Sequence, residues 1–281
     1  MTGTVEVKPS FRPASPAAIA DSAFELFRRA PLALLLLSAL GNLPLIGALA
    51  GLLAFVRIKG FSWGDPSYFV VLGLISIAVG LCGWLRAIVT GALLHASVRA
   101  VANEKVSAAG SLWVALRFGA SLGVVCALRL MTVVVGLACC GIPGVAAYGA
   151  LALAPAAVVV EELSVSDALL RSIKLGPRAA RGLFASALLG MITPVVAFLE
   201  LLMFAQLAVM LLGLLVPGFP KDWLARPEAA WVALALAKTF TDPFVSAATA
   251  LAWLDGRIRA EGLDLELRSQ LLAGEKLGLT A

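Results

Sequence analysis

Six stretches of this chain are long and apolar enough to cross a lipid bilayer, and nothing else in it constrains the fold as much. They cover roughly residues 30–56, 68–98, 115–139, 142–160, 183–216 and 229–254. A helix needs about 20 apolar residues to span the hydrocarbon. The region 115–160 is too long for one helix, and Cys140-Gly141-Ile142-Pro143-Gly144 within it has the Gly/Pro chemistry of a reversal. It reads as two spans. The predicted fold class is all-α: a polytopic integral membrane protein of six transmembrane helices. Composition points the same way, with 61% hydrophobic and 14% charged residues, where soluble domains run at about 45–50% and about 25%. An ordinary soluble globule, a disordered tail and a nucleic-acid-binding domain are excluded on these figures.

The expected organisation is a segment 1–29 with an amphipathic helix, a six-helix membrane domain 30–254 and a tail 255–281. Arg28-Arg29, the apolar run after them and Ala48-Leu49-Ala50 imitate a cleavable signal peptide. The polar lead is long for one, and no sizeable exported domain follows, so the first helix is expected to stay uncleaved. The four cysteines lie in apolar stretches without metal-ligand or redox spacing and read as small buried hydrophobes.

Positive charge sets orientation. Lys8, Arg12, Arg28 and Arg29 precede the first span, and Arg99, Lys105 and Arg117 separate the second from the third. Arg171, Lys174, Arg178 and Arg181 separate the fourth from the fifth, and Arg257, Arg259, Arg268 and Lys276 follow the last. The opposite side holds only Arg57, Lys59, Lys221 and Arg226. Both termini are therefore expected to be cytoplasmic. Trp63, Trp113, Trp223, Trp231 and Trp253 fall near span ends, where amphipathic rings favour the headgroup region, and only Trp84 is deep.

A weak threefold repetition lies on the basic side, at 22–29, 111–117 and 166–174. Each copy has a small polar start, apolar residues at helical spacing and basic residues just before a span. Three interfacial helices, each followed by a transmembrane hairpin, are expected, the first capped by Ser15 with Pro16 at its first helical position.

Sites for chemistry are few. His95 is the one histidine, and no phosphate loop, nucleophile elbow, zinc motif or dinucleotide fingerprint occurs. No enzyme activity, cofactor or metal is expected. What remains are five ionisable residues inside spans: Arg86, Arg129, Glu200, Lys238 and Asp242. At a helix centre each costs about 2.5–3.5 kcal/mol, on the order of 12–18 kcal/mol together if unpaired. Counting about 1.5 Å per residue puts Arg129, Glu200, Lys238 and Asp242 in one layer between the midplane and the outer leaflet. Arg86 sits lower, in snorkelling reach of the inner headgroups. One reading makes Arg129–Glu200 and Lys238–Asp242 the lining of a cavity for an ion, proton or lipid headgroup, helped by Pro243 and by a kink at Pro194. The other makes them static ion pairs between helices, with Lys238–Asp242 closing at i,i+4. Gly47-x-x-x-Gly51 and Gly119-x-x-x-Gly123 offer close helix packing.

Two stretches resemble a known family. Ala154 to Leu175, with Glu161, Glu162, Arg171, Ser172 and Lys174, is similar to the segment after the fourth span of a bacterial membrane-protein family. That family is best known as the membrane domain attached to some glycerophosphoryl diester phosphodiesterases. Leu254-Asp255-Gly256-Arg257-Ile258-Arg259-Ala260-Glu261-Gly262-Leu263-Asp264-Leu265-Glu266 resembles the same family's ending, departing from it at Gly256, where a larger residue would continue the helix. The resemblance covers about 35 residues closely and the rest loosely. It implies a stand-alone membrane module without catalytic residues, since the hydrolase of fused members is a separate barrel that is missing here. Glu161, Arg171, Lys174, Arg257 and Glu261 form a candidate headgroup-binding or packing motif, and the two stretches are expected to pack together under the bundle. The functional expectation is a non-enzymatic integral membrane module of the bacterial envelope, in the inner membrane, that acts through interaction with lipids or partner proteins, membrane proteins and a second copy of itself included. A small transporter or channel using the charged layer is the alternative, and an intramembrane lipid enzyme comes third.

Overall fold

The computed structural model describes residues 15–59, 66–102, 104–139, 142–215 and 227–262, and among them the chain is helical with no strand. Serine oxygens start the three short helices at the basic end. Ser15 Oγ accepts from the Ala18 amide ahead of α1 (Pro16–Arg29). Ser107 Oγ accepts from Gly110 N ahead of α4 (Ala108–Arg117), and Ser164 Oγ from Asp167 N ahead of α8 (Val165–Leu175). Each oxygen satisfies an amide the first turn leaves open. The repeat units thus begin at Ser15, Ser107 and Ser164, ahead of the serines at 22, 111 and 166.

The long elements are α2 (Pro31–Lys59), α3 (Pro66–Val101), α5 (Gly119–Ala138), α9 (Ala180–Leu215) and α10 (Pro227–Glu261). Among the described residues four helices are long and apolar enough to cross a membrane, over Pro31–Ala48, Phe69–Val101, Gly119–Gly136 and Ala180–Leu207. Their outward faces are apolar, as on α9, where Phe184, Leu188, Ile192, Val195, Leu199 and Met203 are exposed at helical spacing. These are the helices of a multi-pass membrane protein.

Two expected spans look different. The stretch 142–160 is not one helix but two, α6 (Ile142–Leu151) and α7 (Ala154–Val160), broken at Ala152-Leu153. All seven residues of α7 are buried. The stretch 229–254 lies in α10, which has ample length but carries Lys238 and Asp242 in its middle. The connections around 60–65 and 216–226, with Trp63, Lys221, Trp223 and Arg226, lie outside the described residues, as do Lys8, Arg12, Arg268, Lys276 and most of the tail.

Packing register orders the bundle. Down α3, Trp84 lies against Gly119 and Gly123, Gly91 against Leu122, and His95 against Ser111. Helices α4 and α5 therefore form one kinked rod antiparallel to α3, bent at Phe118, and the Trp84 indole donates to the Gly119 carbonyl at the bend (3.0 Å). This differs from a separate helix lying in the interface. It also places Arg117 partway up α3 rather than in a loop. Helix α9 runs antiparallel to α10, with Gly182 against Ala252 and Gly190 against Val245; a methyl at Gly182 would meet the Ala252 Cβ at 2.7 Å. The apolar stripe of α1, Ile19, Ala23 and Leu26, is buried with Ala185, Ala247 and Ala248 of α9 and α10.

The basic end is closed by α7, α8 and the last turns of α10 around the fully buried Trp253. Glu162 ends the α7 turn in the left-handed region (φ 52°), and the Leu163 amide returns to the Ala157 carbonyl (3.4 Å), a helix ending that more often carries glycine. Gly256 answers its own anomaly: α10 continues as helix to Glu261, and a Cβ at 256 would sit 3.0 Å from the Ala179 Cβ. Close approach, not a break, explains the missing side chain. The helix stops instead at Gly262, whose φ is 67°.

Candidate functional site

At mid-depth α2, α3 and α10 meet around one carboxylate. Asp242 Oδ2 accepts from Arg86 Nη2 at 2.9 Å and from Asn42 Nδ2 at 2.9 Å, while Oδ1 pairs with Lys238 Nζ at 3.0 Å. The Asn42 carbonyl oxygen accepts from Arg86 Nη1, and its amide also donates to Ser38 Oγ (3.2 Å). Asn42 and Ser38 are 1% exposed, so the bracing side is dry. The cations differ: the side chains of Arg86 and Lys238 are 30% and 33% exposed, against 16% for Asp242. Two cations share one carboxylate, leaving one net positive charge at a partly open site inside an apolar layer.

Lys238 and Asp242 meet as their i,i+4 spacing predicts. Arg86 does not snorkel: helix α3 continues to Val101, some 22 Å beyond it at 1.5 Å per residue, and the nearest carboxylate is Asp242. The structure brings neither Arg129 nor Glu200 into this cluster. Arg129 lies over the Tyr148 ring of α6 (4.7 Å to the centroid), and Glu200 is exposed on α9. Among the described residues neither has an ion-pair partner. Asn42 and Ser38 escape a search restricted to ionisable groups, although an amide inside an apolar run costs enough to be a signal of its own. Pro243, behind Asp242, removes the amide that would bond the Thr239 carbonyl.

A second cluster closes the basic end. Glu161 accepts two hydrogen bonds from Arg171, from Nε at 2.7 Å and Nη2 at 3.2 Å. Arg171 also pairs with Glu261, which pairs with Arg257 at 3.0 Å, and Arg257 Nε lies 3.9 Å from Glu161. The Arg257 guanidinium stacks over the Trp253 ring, 5.1 Å from its centroid. The ring of two arginines and two glutamates ties the α7–α8 turn to the end of α10, and its charge is balanced. Burial works against ionising both Glu261 and Arg171. Their mutual hydrogen bonds, with those from Arg257 and to Glu161, outweigh it, holding the Glu261 carboxyl below its usual range and the Arg171 guanidinium above its own. Lys174 is exposed and outside the ring.

Beside this staple Ser172 closes the α6–α7 break. Its hydroxyl donates to the Ala150 carbonyl (2.6 Å) and accepts from the Leu153 amide (3.2 Å). His95 is buried against Ser111 (3.3 Å), between α3 and α4. Among the described residues no three His, Cys, Asp or Glu side chains are grouped closely enough to hold a metal ion.

No family model, curated protein or solved structure matches this chain. The chemistry has to be read from the two clusters themselves. The staple is balanced and internally satisfied, which suits a structural clamp. The Asp242 cluster has a charge left over and two accessible cations, which suits an anion.

Proposed function

We propose that the protein is a non-enzymatic integral membrane module of the bacterial inner membrane that holds anionic lipid headgroups. The observation that carries this is the unbalanced charge at Asp242: Arg86 and Lys238 both face one carboxylate, and both remain about one-third exposed. A phosphate there supplies the second negative charge, and two donors fit its oxygens. The apolar exterior presents such a ligand from the surrounding lipid, with acyl chains along α2 and α10.

In this reading the chain crosses the membrane six times, with α6–α7 as a broken fourth crossing and α10 as the sixth. Irregular backbone at membrane depth is tolerated where protein covers it, as Ser172 and the packing around α7 do here. Both termini are cytoplasmic, which the clustering of positive charge at the basic end favours. The exposed apolar residues Leu170 and Ile173 on α8 sit beside Lys174 and give the same end a lipid-facing rim. The resemblance of 154–175 and 254–266 to the membrane domain of glycerophosphoryl diester phosphodiesterases supports a stand-alone module of the envelope.

Native mass spectrometry in mild detergent tests this directly. The wild-type chain should retain an anionic phospholipid in preference to a zwitterionic one. Lys238→Gln removes the surplus charge and leaves the Arg86–Asp242–Asn42 contacts in place, so it should lose that preference while eluting as a folded species. Equal retention by the variant would overturn the reading. Pro243 beside Asp242 favours a second one, transport of an anion past the layer, for which flux into proteoliposomes is the measurement.

A further inference from the structure

Arg129 and Glu200 are left over by everything described so far. They sit on membrane helices, each among exposed apolar side chains: Leu128, Leu130 and Met131 around Arg129, and Val196, Met203, Phe204 and Leu207 around Glu200. A charge at such a position costs about 2.5–3.5 kcal/mol on insertion scales unless something meets it. Among the described residues Arg129 has only the Tyr148 ring, and Glu200 has no ion pair.

The packing registers give their depths. On α3, Trp84 faces Gly119 and Gly123, and His95 faces Ser111, so Arg129 falls opposite about residue 79. On α10, Ala252 faces Gly182 and Val245 faces Gly190, so Glu200 falls opposite about residue 235. Arg86 and Asp242 are in contact and define a common level. Each of the two charges then lies about seven residues, roughly 10 Å, beyond that level and away from the basic end. A cation and an anion thus stand at the same depth on two different helices. Helix α5 packs on α3, α6 and α7, and α9 on α10 and α1.

We infer that Arg129 of one copy pairs with Glu200 of a neighbouring copy, α5 of the first packing against α9 of the second. Copies in one membrane share orientation, so equal depth brings the two groups level without any shift along the membrane normal. The pairing neutralises an exposed carboxylate and a half-buried guanidinium at once and covers the apolar stripes that flank them. Charge complementarity at matched depth is what selects a second copy of this chain over an unrelated partner. The inference uses neither Lys238 nor Asp242 and is independent of lipid binding.

Two differently tagged copies, co-expressed and purified through one tag in mild detergent, read the association. Glu200→Arg or Arg129→Glu, introduced into both copies, should lower the co-purified fraction about tenfold. Exchanging the charges within one chain, Arg129→Glu with Glu200→Arg, should restore it. If the reversed chains fail to accumulate, a second measurement decides. In a chain lacking its native cysteines, Thr132→Cys in one copy and Met203→Cys in the other place thiols one turn beyond the charges at equal depth. A cross-link between these two copies, absent when both carry Thr132→Cys, supports the pairing. A wild-type chain that stays monomeric, co-purification indifferent to charge reversal, or a cross-link no stronger than between two Thr132→Cys copies would each overturn it.

Discussion

At the residue scale Ser172 shows most plainly how one side chain licenses an irregular backbone. A hydroxyl is a donor and an acceptor at once, and Ser172 spends both on the gap between α6 and α7, which frees a carbonyl at Ala150 and an amide at Leu153. Ser172→Ala leaves two buried polar groups unpaired and should lower stability by about 1–3 kcal/mol, read as an earlier thermal transition in detergent with the helical content of the folded state unchanged. Residues of this kind are poorly legible in a sequence. The i,i+4 spacing of Lys238 and Asp242 announces a contact within one helix, and the contact is there. Nothing in the order of residues tells that Arg86, far off on α3, shares the same carboxylate, or that Asn42 braces it. Those contacts depend on the register of α2, α3 and α10, where Gly41 lies close against Val89, and such partners are known only once the helices are placed.

At the element scale the bundle's basic end is held by side chains from three helices rather than by one long interface. The ring Glu161–Arg171–Glu261–Arg257 joins the α7–α8 turn to α10. The hydrogen bonds from Arg171 and Arg257 depress the Glu261 pKa in spite of burial. Its stabilising contribution is therefore complete above the carboxylate's ordinary value of 4.5, and is lost as the pH falls through the lower folded value. Stability measured against pH should hold through mild acid and drop only below the ordinary carboxylate range. Arg171→Gln should move that drop upward, and an unchanged profile would contradict the assignment. Both motifs of the staple stand out in the sequence as charged islands at span ends. The break inside 142–160 does not, because hydropathy reports how apolar a stretch is and says nothing about where its backbone stops being helical. Likewise Ala-rich amphipathic segments look interfacial when alone, whereas α4 continues into α5 and the stripe of α1 is covered by α9 and α10.

At the scale of the whole molecule the apolar runs carry most of the architecture. An all-helical, multi-pass chain follows from length and hydrophobicity, because lipid leaves the backbone few alternatives. The number of crossings is less legible, since it turns on α10, whose Lys238 and Asp242 depress its hydropathy, and on the divided α6–α7. Reporter fusions address both: a fusion after residue 262 should be active in the cytoplasm, and one between α5 and α6, near residue 140, on the opposite face. Cytoplasmic activity at both points would contradict six crossings.

The shared carboxylate has one more consequence, electrical rather than chemical. With Arg86 and Lys238 on one side of the account and Asp242 alone on the other, the middle of the bundle is a fixed positive plug. Any water that reaches it meets a field that repels protons and metal cations before steric fit matters, much as a lone arginine guards a water channel. Under the proposed headgroup binding, the same surplus charge that draws the anion in would keep cations out of the layer.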